Sequence, residues 1–246
     1  MQRTENKWLQ FSESNNPSVR LFCLPYAGGN ANYYSDWYKQ LDSRIEVCAI
    51  QLPGHGNRMG EGFITDIKIM VDEIYENIKD YLDKPFAFLG HSMGGILSYL
   101  VSVKVEEETG KEPIVLFESG SAPPDCLEIE EEFQSMSDES LIDKLLEYDA
   151  ATEEVLKYPE FYEWFLPIIK NDFSLVGDYV FDEYRKLSCP IVLFAGTKDR
   201  FNVSNLKDKW KSFTNREVHM HEYEGSHFFI NQHKKDILHI VNKTLA

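Results

Sequence analysis

No apolar run in this 246-residue sequence approaches the roughly 20 residues that a membrane-crossing helix needs. The opening stretch MQRTENKWLQFSESNNPS also lacks the apolar centre of a secretory signal, so the cytoplasm is the expected location and no membrane partner is expected. Basic charge is scarce. Lys and Arg number 25 against 41 Asp and Glu, a formal net charge of −16. Without a basic footprint to neutralise phosphates, nucleic acid is excluded as a partner. Cysteine is sparse too: Cys23, Cys48, Cys126 and Cys189 show no C-x-x-C spacing. Three of them (Cys23, Cys48, Cys189) fall in apolar strand-like runs, where a reduced thiol behaves as a small hydrophobe. Neither a disulfide framework nor a metal site is expected.

What remains is an ordinary globular composition, 43% hydrophobic and 13% aromatic, in a chain long enough to bury one large core. There is no internal repeat and no low-complexity linker. The runs VRLFCL (19–24), IEVCAIQL (45–52), FAFLG (86–90), IVLFESG (114–120) and PIVLFAG (190–196) are apolar almost throughout, which predicts strands buried on both faces. VHMHEY (218–223) alternates and gives a weaker strand signal. Between them, 66–82 repeats apolar residues at helical spacing (Ile67, Met70, Val71, Ile74, Ile78), and helices are also predicted over 93–108, 202–213 and 229–245. Strands alternating with helices make βαβ units and a mostly parallel sheet, an open α/β fold with its site at the carboxyl ends of the strands.

One stretch breaks the alternation. About seventy residues before Pro190 carry no strand signal, and the aromatic-rich run from 159 to 184 has helical spacing. The expected organisation is a single α/β domain over 1–246 with a helical lid inserted at about 125–185. Ser137 with Ser140 offers only a poor capping box for a helix there. Residues 125–163 hold fourteen acidic side chains against two lysines, so most of the negative charge belongs to this segment.

The chemistry centres on FLGHSMGGIL (88–97), where Ser92 occupies a Gly-x-Ser-x-Gly turn between a strand and an amphipathic helix. Such a turn projects the serine hydroxyl at a helix N-terminus, where developing negative charge is favoured. The general base and its orienting acid are expected to follow in the order acid, then histidine. His227, in the EGSHFFI loop after the last strand, is the candidate base, with His219 and His221 on the strand VHMHEY as runners-up. Asp199, in AGTKD just beyond the strand PIVLFAG, is the candidate acid, with Asp125 as the alternative. Two backbone N–H groups must stabilise the tetrahedral intermediate. Met93, following the serine, supplies one, and Ala27 in CLPYAGGNANYY (23–34) is the expected second. These parts need neither metal nor cofactor.

Together LPYAGG, QLPGHGNR, LGHSMGG, AGTKD and GSHFF, in that order, resemble the type II thioesterases of nonribosomal peptide and polyketide synthase systems, from about Val19 to the end of the chain. The resemblance implies an α/β-hydrolase fold with a mobile lid, a Ser92–His227–Asp199 triad, and Ala27 and Met93 as oxyanion donors. It implies hydrolysis of acyl or aminoacyl thioesters from the phosphopantetheine arm of carrier proteins, by a chain able to work as a monomer. Two positions depart from the pattern: His55 stands where many members have arginine, and LPIIKNDF lacks an arginine near Lys170. The lid aromatics Phe161, Tyr162, Trp164, Phe165 and Phe173 are expected to wall an acyl channel, and Lys207, Lys209 and Lys211 to face the carrier protein. The alternatives are a carboxylesterase or lipase-like hydrolase of small oxygen esters, an acyltransferase, or a non-catalytic carrier-binding protein.

Overall fold

The apolar runs become the interior strands of a seven-stranded sheet. A computed structural model describes residues 6–14, 16–127, 133, 135–148, 154 and 156–246. Its strands are β1 (Leu9–Phe11), β2 (Val19–Leu24), β3 (Ile45–Ile50), β4 (Phe86–His91), β5 (Leu116–Ser119), β6 (Ile191–Gly196) and β7 (Val218–Tyr223). They lie in the order β1-β3-β2-β4-β5-β6-β7. Every pairing is parallel except β1 against β3. Each residue of β2 to β6 is buried, as strands covered on both faces require.

Two apolar layers provide that cover. On one face pack α1 (Ile67–Ile78), α2 (Met93–Thr109) and the short α5 (Leu206–Trp210). The opposite face holds two 3-10 turns, Ala31–Tyr34 and Trp37–Lys39, with α6 (Phe229–Gln232) and α7 (Lys234–Leu245). Asp66 caps α1 by accepting the Lys68 and Ile69 N–H groups at 2.8 and 3.0 Å. None of the helices among the described residues is long and apolar enough to cross a membrane.

Several boundaries differ from the sequence reading. β1 carries no strand signal because it has only three residues and one neighbour. The helix predicted over 66–82 stops at Ile78 and ends in a 3-10 turn, Lys79–Tyr81. That over 202–213 shrinks to α5 plus a 3-10 turn, Lys211–Phe213. The terminal helix breaks at His233.

The segment predicted as a lid contains α3 (Asp138–Tyr148), a π-helical turn (Phe161–Phe165) and α4 (Leu166–Gly177). Residues 128–132, 134, 149–153 and 155 of that segment lie outside the described residues. Ser137 caps α3, its hydroxyl accepting the Ser140 N–H at 3.2 Å. Phe133, Leu141, Leu145, Phe161 and Leu166 form a small core of their own. Leu175 of α4 instead joins the large core beside α2.

Candidate active site

β4 ends at His91 and α2 begins at Met93, so Ser92 alone makes the turn, at φ 55° and ψ −122°. A side chain other than glycine rarely occupies this region, and surrounding contacts must hold it there. The Ser92 N–H donates to the Ser119 carbonyl at 2.8 Å, which ties the turn to β5. Its glycine neighbours are sterically required. A Cβ on Gly90 would lie 2.0 Å from the Gly94 carbonyl oxygen, and one on Gly94 would lie 2.2 Å from the Leu24 carbonyl oxygen.

Asp199 follows β6 and His227 follows β7, on adjacent parallel strands, so both loops open at the same edge as Ser92. His227 Nδ1 lies 3.1 and 3.0 Å from the two Asp199 carboxylate oxygens, and both side chains are buried. The acid therefore fixes the ring with hydrogen on Nδ1 and the Nε2 lone pair free to accept a proton. Asp199 is held in turn by the Phe201 N–H, 3.1 Å from Oδ1. Tyr148, Phe201 and Phe228 surround the imidazole, their ring centroids 5.2–5.3 Å away. Among the described residues no hydrogen bond joins Ser92 to His227, a looseness common before substrate orders a site.

A second imidazole sits beside this pair. His91 is wholly buried, its ring centroid 4.9 Å from that of His227 and its Nδ1 3.0 Å from the Ser119 hydroxyl. Burial, with the adjacent His227, pushes its pKa well below the ordinary histidine value. A neutral His91 spares His227 a like charge when that ring takes up a proton.

The Ala27 and Met93 N–H groups donate to no other group among the described residues, and both residues border the cavity that holds Ser92. Two chambers meet at Ser92. The smaller, about 180 Å³, is lined by Met93, Ile96, Ala122, Phe133, Val176 and Phe201 among others. The larger, about 720 Å³, runs past Tyr26, Tyr33, Phe161, Phe165 and His227. Ala27, Ser92, Tyr148 and Phe173 border both.

The remaining sequence candidates fall elsewhere. His219 is exposed beside Glu217, and His221 packs near Phe194; neither lines a chamber. Asp125 accepts a hydrogen bond from the exposed Tyr184 hydroxyl at 2.9 Å. Of the lid aromatics, Phe161, Phe165 and Phe173 border the large chamber, while Tyr162 and Trp164 are exposed and do not. Lys211 pairs with Asp208, and Lys209 contacts the Cys126 sulfur at 3.2 Å. Cys23, Cys48 and Cys189 are buried, and no disulfide is formed among the described residues.

One polar group near the site escaped sequence reasoning. Asp172, on α4, is fully buried and borders the small chamber. Its Oδ2 accepts the Gly28 N–H at 2.7 Å and lies 2.8 Å from His55 Nε2. Burial disfavours charge on His55, but the Asp172 hydrogen bond and charge, with the Pro53 carbonyl, outweigh it and raise the pKa above the ordinary value. The only signal was an aspartate on the apolar side of a helix, spaced with Ile168, Ile169, Leu175 and Val176.

Known proteins resemble this chain in sequence and fold. The gramicidin S biosynthesis protein GrsT of Aneurinibacillus migulanus is 34% identical over 241 residues, covering 98% of this chain and 94% of GrsT. The crystal structure of ClbQ from the colibactin NRPS/PKS pathway superposes with a TM-score of 0.86 at 30% identity, covering 93% of this chain and 97% of ClbQ. The type II thioesterase BorB from the borrelidin biosynthetic cluster superposes with a TM-score of 0.90 at 26% identity, over 99% of this chain and all of BorB. The sheet and its flanking helices are thus those of an α/β-hydrolase thioesterase. The pattern of the thioesterase domain matches residues 19–245, and the chain belongs to that family.

Proposed function

We propose that this chain is a type II thioesterase that clears acyl or aminoacyl groups from the phosphopantetheine arm of carrier proteins in a nonribosomal peptide or polyketide synthase. Ser92 acts as nucleophile, His227 as general base and then acid, and Asp199 as the group that orients the imidazole. One observation carries the reading: a buried histidine–aspartate pair, a strained serine and two backbone N–H groups with no internal acceptor among the described residues converge where the two chambers meet, His227 bordering the larger, Met93 the smaller, and Ala27 and Ser92 both.

The chemistry runs in two steps. His227 Nε2 takes the Ser92 proton as the oxygen attacks the thioester carbonyl, and the oxyanion falls between the Ala27 and Met93 N–H groups. Collapse expels the arm's thiol, protonated by His227. Water, deprotonated by the same ring, then attacks the acyl-serine and frees the acid. The reaction calls for no cofactor of the chain's own.

The two chambers suit the two halves of such a substrate. The larger has room for the arm, and the smaller for the acyl group. A cavity of about 150 Å³ accommodates benzene, so about 180 Å³ beside Ser92 favours acyl groups of about six to eight heavy atoms. Similarity to GrsT, ClbQ and BorB supports the synthase setting.

The test is release of acyl groups from one loaded carrier protein, followed by intact-protein mass spectrometry across a panel of chain lengths. Short acyl groups should leave fastest, and Ser92→Ala should lower turnover about a million-fold, as nucleophile removal does in comparable sites. Fluorophosphonate labelling should vanish in the same variant. Equal labelling of both proteins, or faster hydrolysis of a matched oxygen ester than of the carrier thioester, overturns the proposal.

A further inference from the structure

Helix α4 meets the oxyanion loop at Gly28, and it does so twice. Gly28 has φ +78°, and a Cβ there would stand 2.7 Å from Ile169 Cγ1, so the glycine backbone lies directly against the helix. Three residues further along, Asp172 Oδ2 accepts the Gly28 N–H at 2.7 Å. Gly28 follows Ala27, whose N–H is the proposed oxyanion donor. The position of that donor therefore depends on a carboxylate from the lid segment.

The same carboxylate oxygen has a second neighbour, His55 Nε2 at 2.8 Å. His55 Nδ1 lies 2.8 Å from the Pro53 carbonyl oxygen. A carbonyl only accepts, so Nδ1 carries a hydrogen. Asp172 Oδ2 already accepts from Gly28, so its contact with Nε2 is attractive only when a proton lies between them. Without that proton two lone pairs face each other at hydrogen-bond distance. Water cannot relieve the clash, because His55 and Asp172 are 1% and 0% exposed.

We infer that His55 and Asp172 share a proton that locks α4 onto Gly28, so that seating the lid helix and setting the Ala27 oxyanion donor are a single event. His55 and Asp172 are positioning residues: neither touches the reacting atoms, and both act through the loop that does. The inference rests on the thioesterase reading, because it gives a function to the oxyanion geometry.

The charged groups acting on His55 are few. Asp172 favours the proton from α4, and Arg58, in the same loop as His55 and paired with Glu61, opposes it. Beside Asp172 on α4 stands the neutral Asn171, its Nδ2 3.4 Å from Asp172 Oδ1. The oxyanion loop contributes only the Gly28 amide, and Phe63 packs its ring 6.5 Å from the imidazole. The sign follows from these partners. With the His55 pKa raised, the lock is closed below that raised value and opens as pH rises through it. Activity should therefore have an alkaline limb, felt in kcat because the oxyanion forms only in the transition state.

The experiment compares wild type, Asp172→Asn and His55→Arg by the pH dependence of kcat on an acyl-pantetheine thioester. The side-chain amide of Asp172→Asn keeps an oxygen for the Gly28 N–H but removes the counter-charge, so the alkaline limb should move down by about one pH unit or more. Arginine stays protonated, so in His55→Arg the limb should disappear below about pH 10. Histidine-labelled protein gives a readout independent of turnover: the His55 NMR signal should titrate above the ordinary value in wild type and lower in Asp172→Asn. An identical limb in all three proteins, or a His55 signal that Asp172→Asn leaves in place, overturns the inference. If wild type hydrolyses the thioester while either result holds, the lock alone fails. If no thioester is hydrolysed, the thioesterase reading fails and the NMR titration still decides the lock.

Discussion

Replacing Gly94 by alanine adds one methyl group where two backbone carbonyls already stand. The new Cβ would lie 2.2 Å from the Leu24 oxygen and 2.7 Å from that of Pro25, against the 3.4 Å at which ordinary contact begins. Relief requires a separation of about 1.2 Å at the tighter contact. β2 cannot supply it, because it is hydrogen-bonded to β3 on one side and β4 on the other. The N-terminus of α2 must move instead, carrying the Met93 N–H away from Ala27. A misplacement of about 1 Å in a catalytic group can cost about a hundredfold in rate. Stability should change less. Overpacking costs about 1–3 kcal/mol, while alanine recovers about 1 kcal/mol of helix propensity, leaving a net loss of at most about 2 kcal/mol. The assay is kcat for release of a short acyl group from a carrier arm, paired with urea denaturation. Gly60→Ala is the control: a Cβ there meets nothing within 4 Å, so its stability should stay within about 0.5 kcal/mol of wild type. A Gly94→Ala enzyme with wild-type kcat would refute the reasoning, since the two oxyanion donors would then not be set by the seating of α2 on the end of β2.

Two further outcomes concern buried charge. Glu118 on β5 packs against Gly95, and neither of its oxygens has a hydrogen-bond partner among the described residues; burial pushes its pKa well above the ordinary 4.5. Folding above that pH must therefore take up a proton, so wild type should lose stability relative to Glu118→Gln as pH rises from 4.5, by at most about 1.4 kcal/mol per pH unit; chemical denaturation at about pH 5 and about pH 8 measures the gap. Arg20 and Glu46 face each other across β2 and β3 with Nε 2.9 Å from Oε2, and both are buried. Arg20→Met should destabilise by about 3–5 kcal/mol in urea because it breaks the buried ion pair with Glu46, and adding Glu46→Leu should return part of that loss.

Ser92 was legible because its local geometry has a steric price that only glycine meets: the Cβ distances at Gly90 and Gly94 are the Gly-x-Ser-x-Gly pattern expressed in ångströms. Asp199 and His227 were legible by chain order, since in a parallel sheet the loops after β6 and β7 open at one edge. Order alone left His219, His221 and Asp125 as competitors. The structure places the two strand histidines away from the chambers and Asp125 against the Tyr184 hydroxyl. The extents of 202–213 and 229–245 were misjudged because apolar spacing persists through 3-10 turns and across the break at His233.

The sequence by itself determined the parallel sheet, because strands buried on both faces read as nearly continuous apolar runs. It also determined the elbow, because backbone crowding at positions 90 and 94 excludes any side chain there. The joining of His55 to Asp172, 117 residues apart, was decided only by the tertiary structure. Nothing in the sequence ties a histidine in one loop to an aspartate on one helix. Folding removes water from both and brings them within hydrogen-bond distance, and a proton between them then becomes part of the architecture that holds the oxyanion loop.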